Sequence, residues 1–292
     1  MKKYLPALGM WLLFEAVAVG LWLALDNLFY LLNFTYIGSA IAVGLALYAA
    51  KWKYARNAVQ FAVGLYMLVY LGLICRENMQ IEGFWYYLFL GVFEAAVIHY
   101  AVAKIFGPLV FGRGWCGYAC WTAMVLDLLP YKRPELPRKR WGYVSYIVFC
   151  VSLLYVAALF LLHVPDLERV MWASFIVGNL VYYAVGIALA YICRDNRAFC
   201  KYICPVTVFL KPMSRFALFR VRVDRAKCIS CGKCERVCPM NVPVSSGQSV
   251  RANASECILC LKCEEECPKD ADRKSTRLNS SHEIPSRMPS SA

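Results

Sequence analysis

Six apolar stretches of about 20 residues each dominate the chain, and that is the length a helix needs to cross a bilayer. They lie near residues 5–25, 30–50, 57–75, 84–105, 143–163 and 171–192. Inside lipid every backbone amide must find its partner within the segment, so such stretches resolve as α-helices. Composition points the same way: 60% of residues are hydrophobic and 17% charged, whereas a soluble domain runs at about 45–50% and about 25%. A simple soluble globule, a disordered chain, a collagen-like chain and a small disulfide scaffold are all excluded.

The net charge of +13 raises the question of a nucleic-acid partner. The basic residues, however, gather at the ends of the apolar stretches rather than on one groove-facing element, so no nucleic acid is expected. One side of the bundle would hold Lys2, Lys3, Lys51, Lys53, Arg56, Arg113, Lys132, Arg133, Arg138, Lys139 and Arg140. The other would hold Arg76 and Arg169. Positive residues stay inside, so both termini are expected in the cytoplasm, with the chain in a bacterial or archaeal inner membrane. Aromatic residues fall near the expected interfaces, Phe84 to Tyr87 outside and Trp115, Trp121 and Trp141 inside. The opening Lys2-Lys3 and apolar run resemble a signal peptide, but the run is too long and no small-x-small site precedes Asp26, so an anchor is expected. Ala40-x-x-x-Gly44 has the spacing that lets membrane helices pack closely.

The 15 cysteines form three groups. Cys228-x-x-Cys231-x-x-Cys234-x-x-x-Cys238-Pro239 is repeated as Cys257-x-x-Cys260-x-x-Cys263-x-x-x-Cys267-Pro268. This is the spacing of a two-cluster ferredoxin, in which three thiolates of one run hold one cubane and the fourth reaches the other. One [4Fe–4S] cluster would take Cys228, Cys231, Cys234 and Cys267, the other Cys257, Cys260, Cys263 and Cys238. Zinc sites use paired CxxC units, which this spacing does not provide, and a reducing cytoplasm argues against disulfides.

The second group is Cys116 and Cys120 after the fourth apolar stretch, and Cys200 and Cys204 after the sixth. If each segment is helical, thiols at i and i+4 share a face. The two pairs could meet as a four-thiolate group holding a further iron–sulfur or soft-metal centre, or cycle as dithiol and disulfide. Arg113, Arg194, Arg197 and Lys201 flank them, and nearby cations favour thiolates. The alternative is four reduced, packing cysteines. Of the third group, Cys75 and Cys150 read as packing residues, and Cys193 stands close to the second pair.

The segment from about Lys51 to Asp270 resembles the NapH/NosR-type membrane polyferredoxins, the quinol dehydrogenase membrane components. That family has a four-helix membrane core, two CX3CP motifs on the cytoplasmic side and a terminal pair of [4Fe–4S] motifs. Cys116 and Cys120 match the first CX3CP except that Trp121 replaces the proline, which leaves the local backbone geometry open. Cys200, Cys204 and Pro205 match the second. The resemblance implies electron transfer between a quinone or quinol pool and a redox partner protein, with quinone as substrate. No FMN-attachment domain like that of the larger NosR members is recognised in this sequence.

Quinone chemistry moves protons with electrons, so ionisable groups within the bilayer are relay candidates. Glu94 and His99 in the fourth stretch are the leading pair, with Glu15 in the first and His163 at the outer end of the fifth behind them. The alternative for each is a neutral, hydrogen-bonded side chain.

The expected fold is an α-helical polytopic membrane protein of six transmembrane helices, carrying a small α+β ferredoxin-like domain for two [4Fe–4S] clusters. Residues 1–50 would form an extra hairpin, 51–205 the four-helix core with the CX3C motifs, and 206–272 the ferredoxin domain. Residues 273–292 have no periodicity and resemble a translated sequencing adapter, so they are expected to be a non-native disordered tail. They carry four basic and one acidic side chain, so three of the thirteen positive charges fall there. The leading function is an electron-transfer subunit of a quinol dehydrogenase system. The rivals are copper or metal handling in oxidase assembly, and membrane redox sensing.

Overall fold

The computed structural model describes residues 4–93, 95–246, 250–269 and 271–275. Helix α1 (Leu5–Leu25) ends where Asp26 takes a left-handed backbone, and the Asn27 side chain caps α2 (Leu28–Ala49) by accepting the Phe29 N–H at 2.9 Å. The two form an antiparallel hairpin. Phe14 packs where Gly38 has no side chain, and the Thr35 hydroxyl donates to Glu15 at 2.9 Å. Glu15 therefore has an interhelical partner.

Helix α3 (Ala55–Leu65) lies back along α2 and continues in π-type turns over Tyr66–Ile74. Its start, with Arg56 bonded to the Gly117 carbonyl, lies on the same side as the CX3C motifs, here called the thiol side. Its end lies on the far side. Helix α9 (Val144–Leu161) leads away from the thiol side and α10 (Leu167–Cys193) returns to it. Ile37, Val63, Met67, Leu71 and Phe175 fill the centre, while Leu23, Leu32, Leu154 and Leu180 point outward, as lipid-facing residues do.

Among the described residues five helices are long and apolar enough to cross a membrane: Leu5–Leu25, Leu28–Ala49, Ala55–Ile74, Trp141–Leu161 and Leu167–Cys193. The expected fourth span, 84–105, is not one helix. From the far side the chain turns inward at Asn78, whose side chain donates to the Met171 carbonyl at 2.9 Å and accepts the Gln80 N–H at 3.0 Å. Helix α4 (Ile81–Leu90) then climbs back. Trp85 reaches Ser152 midway along α9, Phe89 meets Phe160 near its far end, and Tyr87 donates to Glu77 at 2.7 Å. Gly91, with φ 71°, ends α4 in the left-handed region that a glycine tolerates. Helix α5 (Ala95–Tyr100), π-type turns over Ala101–Phe106 and α6 (Gly107–Phe111) then descend to the thiol side. The apolar run was continuous in sequence, so periodicity could not show that the chain reverses within it.

On the thiol side lie two short helices, α7 (Gly114–Tyr118) and α8 (Trp121–Leu126), and two more, α11 (Ala198–Tyr202) and α12 (Thr207–Ser214). Beyond them comes a small unit of β1 (Arg220–Val223), α13 (Lys233–Arg236), α14 (Val250–Ala254), α15 (Lys262–Glu266) and β2 (Asp272–Ser275). The strands pair antiparallel, Arg220 opposite Ser275 and Val223 opposite Asp272. A lone two-stranded sheet is marginal by itself. Here it is anchored, since the amides of Leu218 and Phe219 donate to the carbonyls of Leu109 and Val110 at 2.8 Å. Backbone pairing carries β2 to Ser275, three residues into the tail expected from 273; residues 276–292 lie outside the described residues.

Candidate iron–sulfur centres

In each ferredoxin run the chain must curl tightly so that consecutive thiols face one point. Ser230 and Gly232 take left-handed backbones around Cys231, and Leu259 and Leu261 do so around Cys260. A non-glycine residue held there costs about 1–3 kcal/mol and persists only where surroundings enforce it. Leu261 is almost completely buried, and its packing supplies that enforcement.

The curls bound two cavities. One is lined by Cys228, Cys231, Cys234 and Cys267, and the other by Cys238, Cys257, Cys260 and Cys263. Each draws three thiols from one run and the fourth from the other. Their open spaces are about 330 and 500 Å³. Backbone amides point at the sulfurs: Val242 to Cys238 and Leu259 to Cys257 at 3.4 Å, and Ala271 to Cys267 at 3.3 Å. Among the described residues no three His, Cys, Asp or Glu side chains converge on a single-ion site. Four thiols around a cavity, with amides donating to sulfur, fit an iron–sulfur cube. Burial pushes the Cys257 thiol up to about 12 and raises Cys238, so each must lose a proton to become a ligand.

The two CX3C motifs share one local design. Cys116 lies in α7 and Cys120 directly precedes α8; Cys200 lies in α11 and Cys204 stands three residues before the start of α12. Trp121 takes the first helical position of α8, where an N–H has no helical partner and proline is favoured for that reason. Its indole donates to Asn179 at 2.8 Å. The missing proline therefore leaves the helix start intact.

An arginine opens each motif helix, and the two are exchanged. Arg113, just before α7, donates to the Cys200 carbonyl at 3.1 Å, and Arg197, just before α11, donates to the Cys116 carbonyl at 2.9 Å. Both are fully buried. Each has a carboxylate, Glu256 at 2.5 Å for Arg113 and Asp127 at 2.7 Å for Arg197. Glu256 also meets Arg138 at 2.7 Å and Lys211 at 3.2 Å, and Asp127 meets Arg56 at 2.9 Å. Burial would raise both carboxyls, but Arg197 and Arg56 hold Asp127 below its ordinary value, and Arg113, Arg138 and Lys211 do the same for Glu256.

Cys116, Cys120, Cys200 and Cys204 lie within electrostatic reach of one another. Burial pushes Cys200 up to about 12 against the pull of Arg197, and raises Cys204 and Cys120, with neighbouring thiols adding to it. Lys104, buried over the Trp115 ring at 4.7 Å, adds a third cation close to Cys120 and Cys204.

The ferredoxin unit sits on this group. Cys116, Leu210, Met240 and Ile258 share one buried cluster, with Cys238 and Cys260 packed against it. Tyr118 donates to the Leu259 carbonyl at 3.0 Å, and Lys201 bonds both Asp195 and Asn241. A Cβ on Gly117 would lie 2.4 Å from the Ile258 carbonyl oxygen, so only glycine permits this approach. The cavity of Cys238 and Cys257 therefore faces the CX3C thiols. The other lies further out, where Cys231 is exposed.

Of the remaining sequence candidates, His99 is buried on α5, its ring 5.2 Å from Trp115 and its Nε2 without a hydrogen-bond partner. Glu94 lies outside the described residues. His163 and Cys75 are exposed, as is Cys150 on α9; Cys193 packs with Ala198 and Tyr202. Sequence reasoning passed over Asp127, Glu256, Lys104 and Glu82. The signal for the first two was present as an arginine three residues before the first cysteine of each pair, Arg113 and Arg197.

These donor sets and helices define a class, iron–sulfur electron-transfer proteins of ferredoxin type with apolar helices suited to a membrane. A 4Fe-4S dicluster domain family matches residues 220–268, and a 4Fe-4S binding domain family matches twice, at 96–144 and 173–225. The second family thus covers both CX3C motifs. Among curated relatives, the methylamine utilization ferredoxin-type protein MauN of Methylobacillus flagellatus is 27% identical, over 68% of this chain and 79% of its own. An uncharacterised protein of Methanocaldococcus jannaschii is 26% identical, over 57% of this chain and 68% of its own. The electron transport protein YccM of Escherichia coli K12 is 23% identical, over 54% of this chain and half of its own. No solved structure matches.

Proposed function

We propose that this protein passes electrons between a quinone pool and a protein partner, as a NapH-like subunit of a quinol dehydrogenase system in a bacterial or archaeal inner membrane. One observation carries the reading: three thiol groups stand in a row, from the buried CX3C pairs through the Cys238 cavity to the Cys228 cavity with its exposed Cys231. Cys228, Cys231, Cys234 and Cys267 would hold one [4Fe–4S] cluster, and Cys257, Cys260, Cys263 and Cys238 the other. Cys116, Cys120, Cys200 and Cys204 would hold a third iron–sulfur centre. Bound clusters would supply one-electron exchange at potentials set by hydrogen bonding and exposure.

The chain's own residues prepare for this. Val242, Leu259 and Ala271 amides donate to the sulfurs of Cys238, Cys257 and Cys267, which would favour an added negative charge on a bound cluster. Arg113, Arg197 and Lys104 offset the charge of four thiolates in a dry site. Three buried basic side chains there suit an anionic four-thiolate centre. His99, with its free Nε2, is the candidate for a proton released by quinol, and Glu94 is proposed with it. Residues 51–205 act as the membrane core, with α5 and α6 completing a sixth crossing, and 206–272 as the cytoplasmic redox domain.

The test is to add a quinol, then a quinone, to the lipid-reconstituted protein and follow the iron–sulfur visible absorption. Reversible bleaching is expected, with iron near twelve per chain for three four-iron centres (roughly four each). Absorption that no quinone changes refutes the reading.

A further inference from the structure

We infer that Glu82, at the buried start of α4, is a redox-linked proton site: it binds one proton when the CX3C centre gains an electron and returns it on oxidation. The inference rests on the reading of the four CX3C thiols as a redox centre.

The start of α4 lies deep in the bundle. Gln80, which precedes it, packs against Gly178 near the middle of α10, where a Cβ would lie 2.4 Å from its Oε1. Asn78 is tied to Met171 on the same helix. The ten-residue α4 thus points its N-terminus, the positive end of its dipole, toward the thiol side. Half-helices that end within a bilayer commonly present ion sites there.

Among the described residues, three polar atoms at this place are buried without a hydrogen-bond partner: Gln80 Nε2, Glu82 Oε2 and the Tyr182 hydroxyl. Gln80 is 4% exposed. Gly178 and Tyr182 lie one turn apart on α10, so one face of that helix meets both Gln80 and Glu82. An unsatisfied polar atom in a dry interior is costly, so three together mark a candidate functional place.

Two tyrosines connect this place to the thiols. Tyr182 is within electrostatic reach of Glu82 and of Cys204. Tyr100, fully buried, is within reach of Glu82, Tyr182, Cys204 and Cys120. Lys104, buried in the turns after α5, lies within electrostatic reach of Cys120, Cys116 and Cys204, and His99 within reach of Lys104. Helix α9 carries no charged residue between Val144 and Leu161.

An electron added to a centre in a low-dielectric site is strongly felt by nearby ionisable groups. A proton gained at Glu82 offsets that charge. The electron comes from dithionite in the experiment and from the hydroquinone in the membrane. The proton comes from water, forms an O–H bond on the Glu82 carboxylate, and leaves when the centre is reoxidised.

The experiment is the dithionite-reduced minus oxidised infrared difference spectrum of the full chain in lipid, in H2O and D2O. A carboxylic C=O band should appear on reduction, shift in D2O, vanish in E82Q and move in E82D. It should also vanish in C204S, which spares the ferredoxin cysteines. A carboxyl band distinguishes Glu82 from the imidazole and amine of His99 and Lys104. Should E82Q fail to load iron, E82D carries the test, and an unmoved band there overturns the inference. No band, or one unchanged in E82Q or C204S, likewise overturns it while leaving electron transfer standing. A protein with no reducible centre overturns both.

Discussion

Asp127→Asn should weaken the chain severely, because it strands a buried guanidinium. The carboxylate receives the Nε and Nη2 of Arg197 and the Nη1 of Arg56. The Arg197 side chain is 1% exposed and that of Asp127 11%, so solvent cannot take over when the charge is removed. Breaking one partner of a buried pair costs about 3–5 kcal/mol. Arg56 keeps Gln60 and the Gly117 carbonyl, which favours the lower end, about 3 kcal/mol, or over a hundredfold in the folding equilibrium. The assay is SDS titration of the full chain in mixed micelles, read by tryptophan fluorescence, as a cycle with Arg197→Met. The double variant should be less destabilised than the two single ones added together, because removing both charges leaves none stranded. A shift below about 0.5 kcal/mol for D127N, or a cycle that adds, would refute the argument.

The same carboxyl predicts an acid limit. Its folded value lies below its ordinary 3.8, so its contribution is complete above that value and is lost as pH falls through the lower one; D127N should flatten the acid-unfolding curve below pH 3.8. Gly117→Ala places a Cβ 2.4 Å from the Ile258 carbonyl, and should cost about 1–3 kcal/mol and speed proteolysis of the ferredoxin unit, measured by limited trypsin digestion. Cys267→Ser should remove the centre of the outer cavity and Cys238→Ser that of the inner one, although each cysteine lies in the other centre's run; electron paramagnetic resonance of the reduced variants distinguishes them. Glu256→Gln strands the buried Arg113 and should weaken the chain by about 3–5 kcal/mol, read by the same SDS titration.

What could be read from sequence was whatever is encoded locally. The ferredoxin cysteines carry their grouping in short spacings, and a run of twenty apolar residues carries its own helix. The hairpin at Asn78 was hidden because it depends on a carbonyl at Met171, 93 residues away. Arg76 to Gln80 read as an outer loop, yet Asn78 and Gln80 are buried. Gly91 sits inside an apolar run and gives no sign that it stops a helix in a left-handed turn. A strand built by backbone pairing needs no apolar side chain, so β2 leaves no mark in the apolar pattern. The doubt over Trp121 came from treating proline as a requirement, when the position only asks for a residue that opens a helix.

The exchanged arginines also bear on how the protein is made. Arg113 emerges from the ribosome 84 residues before Arg197, and neither motif can be locked until both are present. The first pair of thiols must therefore wait, unfastened, while α9 and α10 are inserted. Glu256 arrives later still, and only then is the Arg113 charge balanced by its carboxylate. Synthesis thus delivers the parts in order, α9 and α10 first, Arg197 of the crossed clamp second and Glu256 of the ferredoxin unit last. A chain truncated before Glu256 should stall with an open, oxidation-prone thiol group, a state that quality-control proteases can recognise.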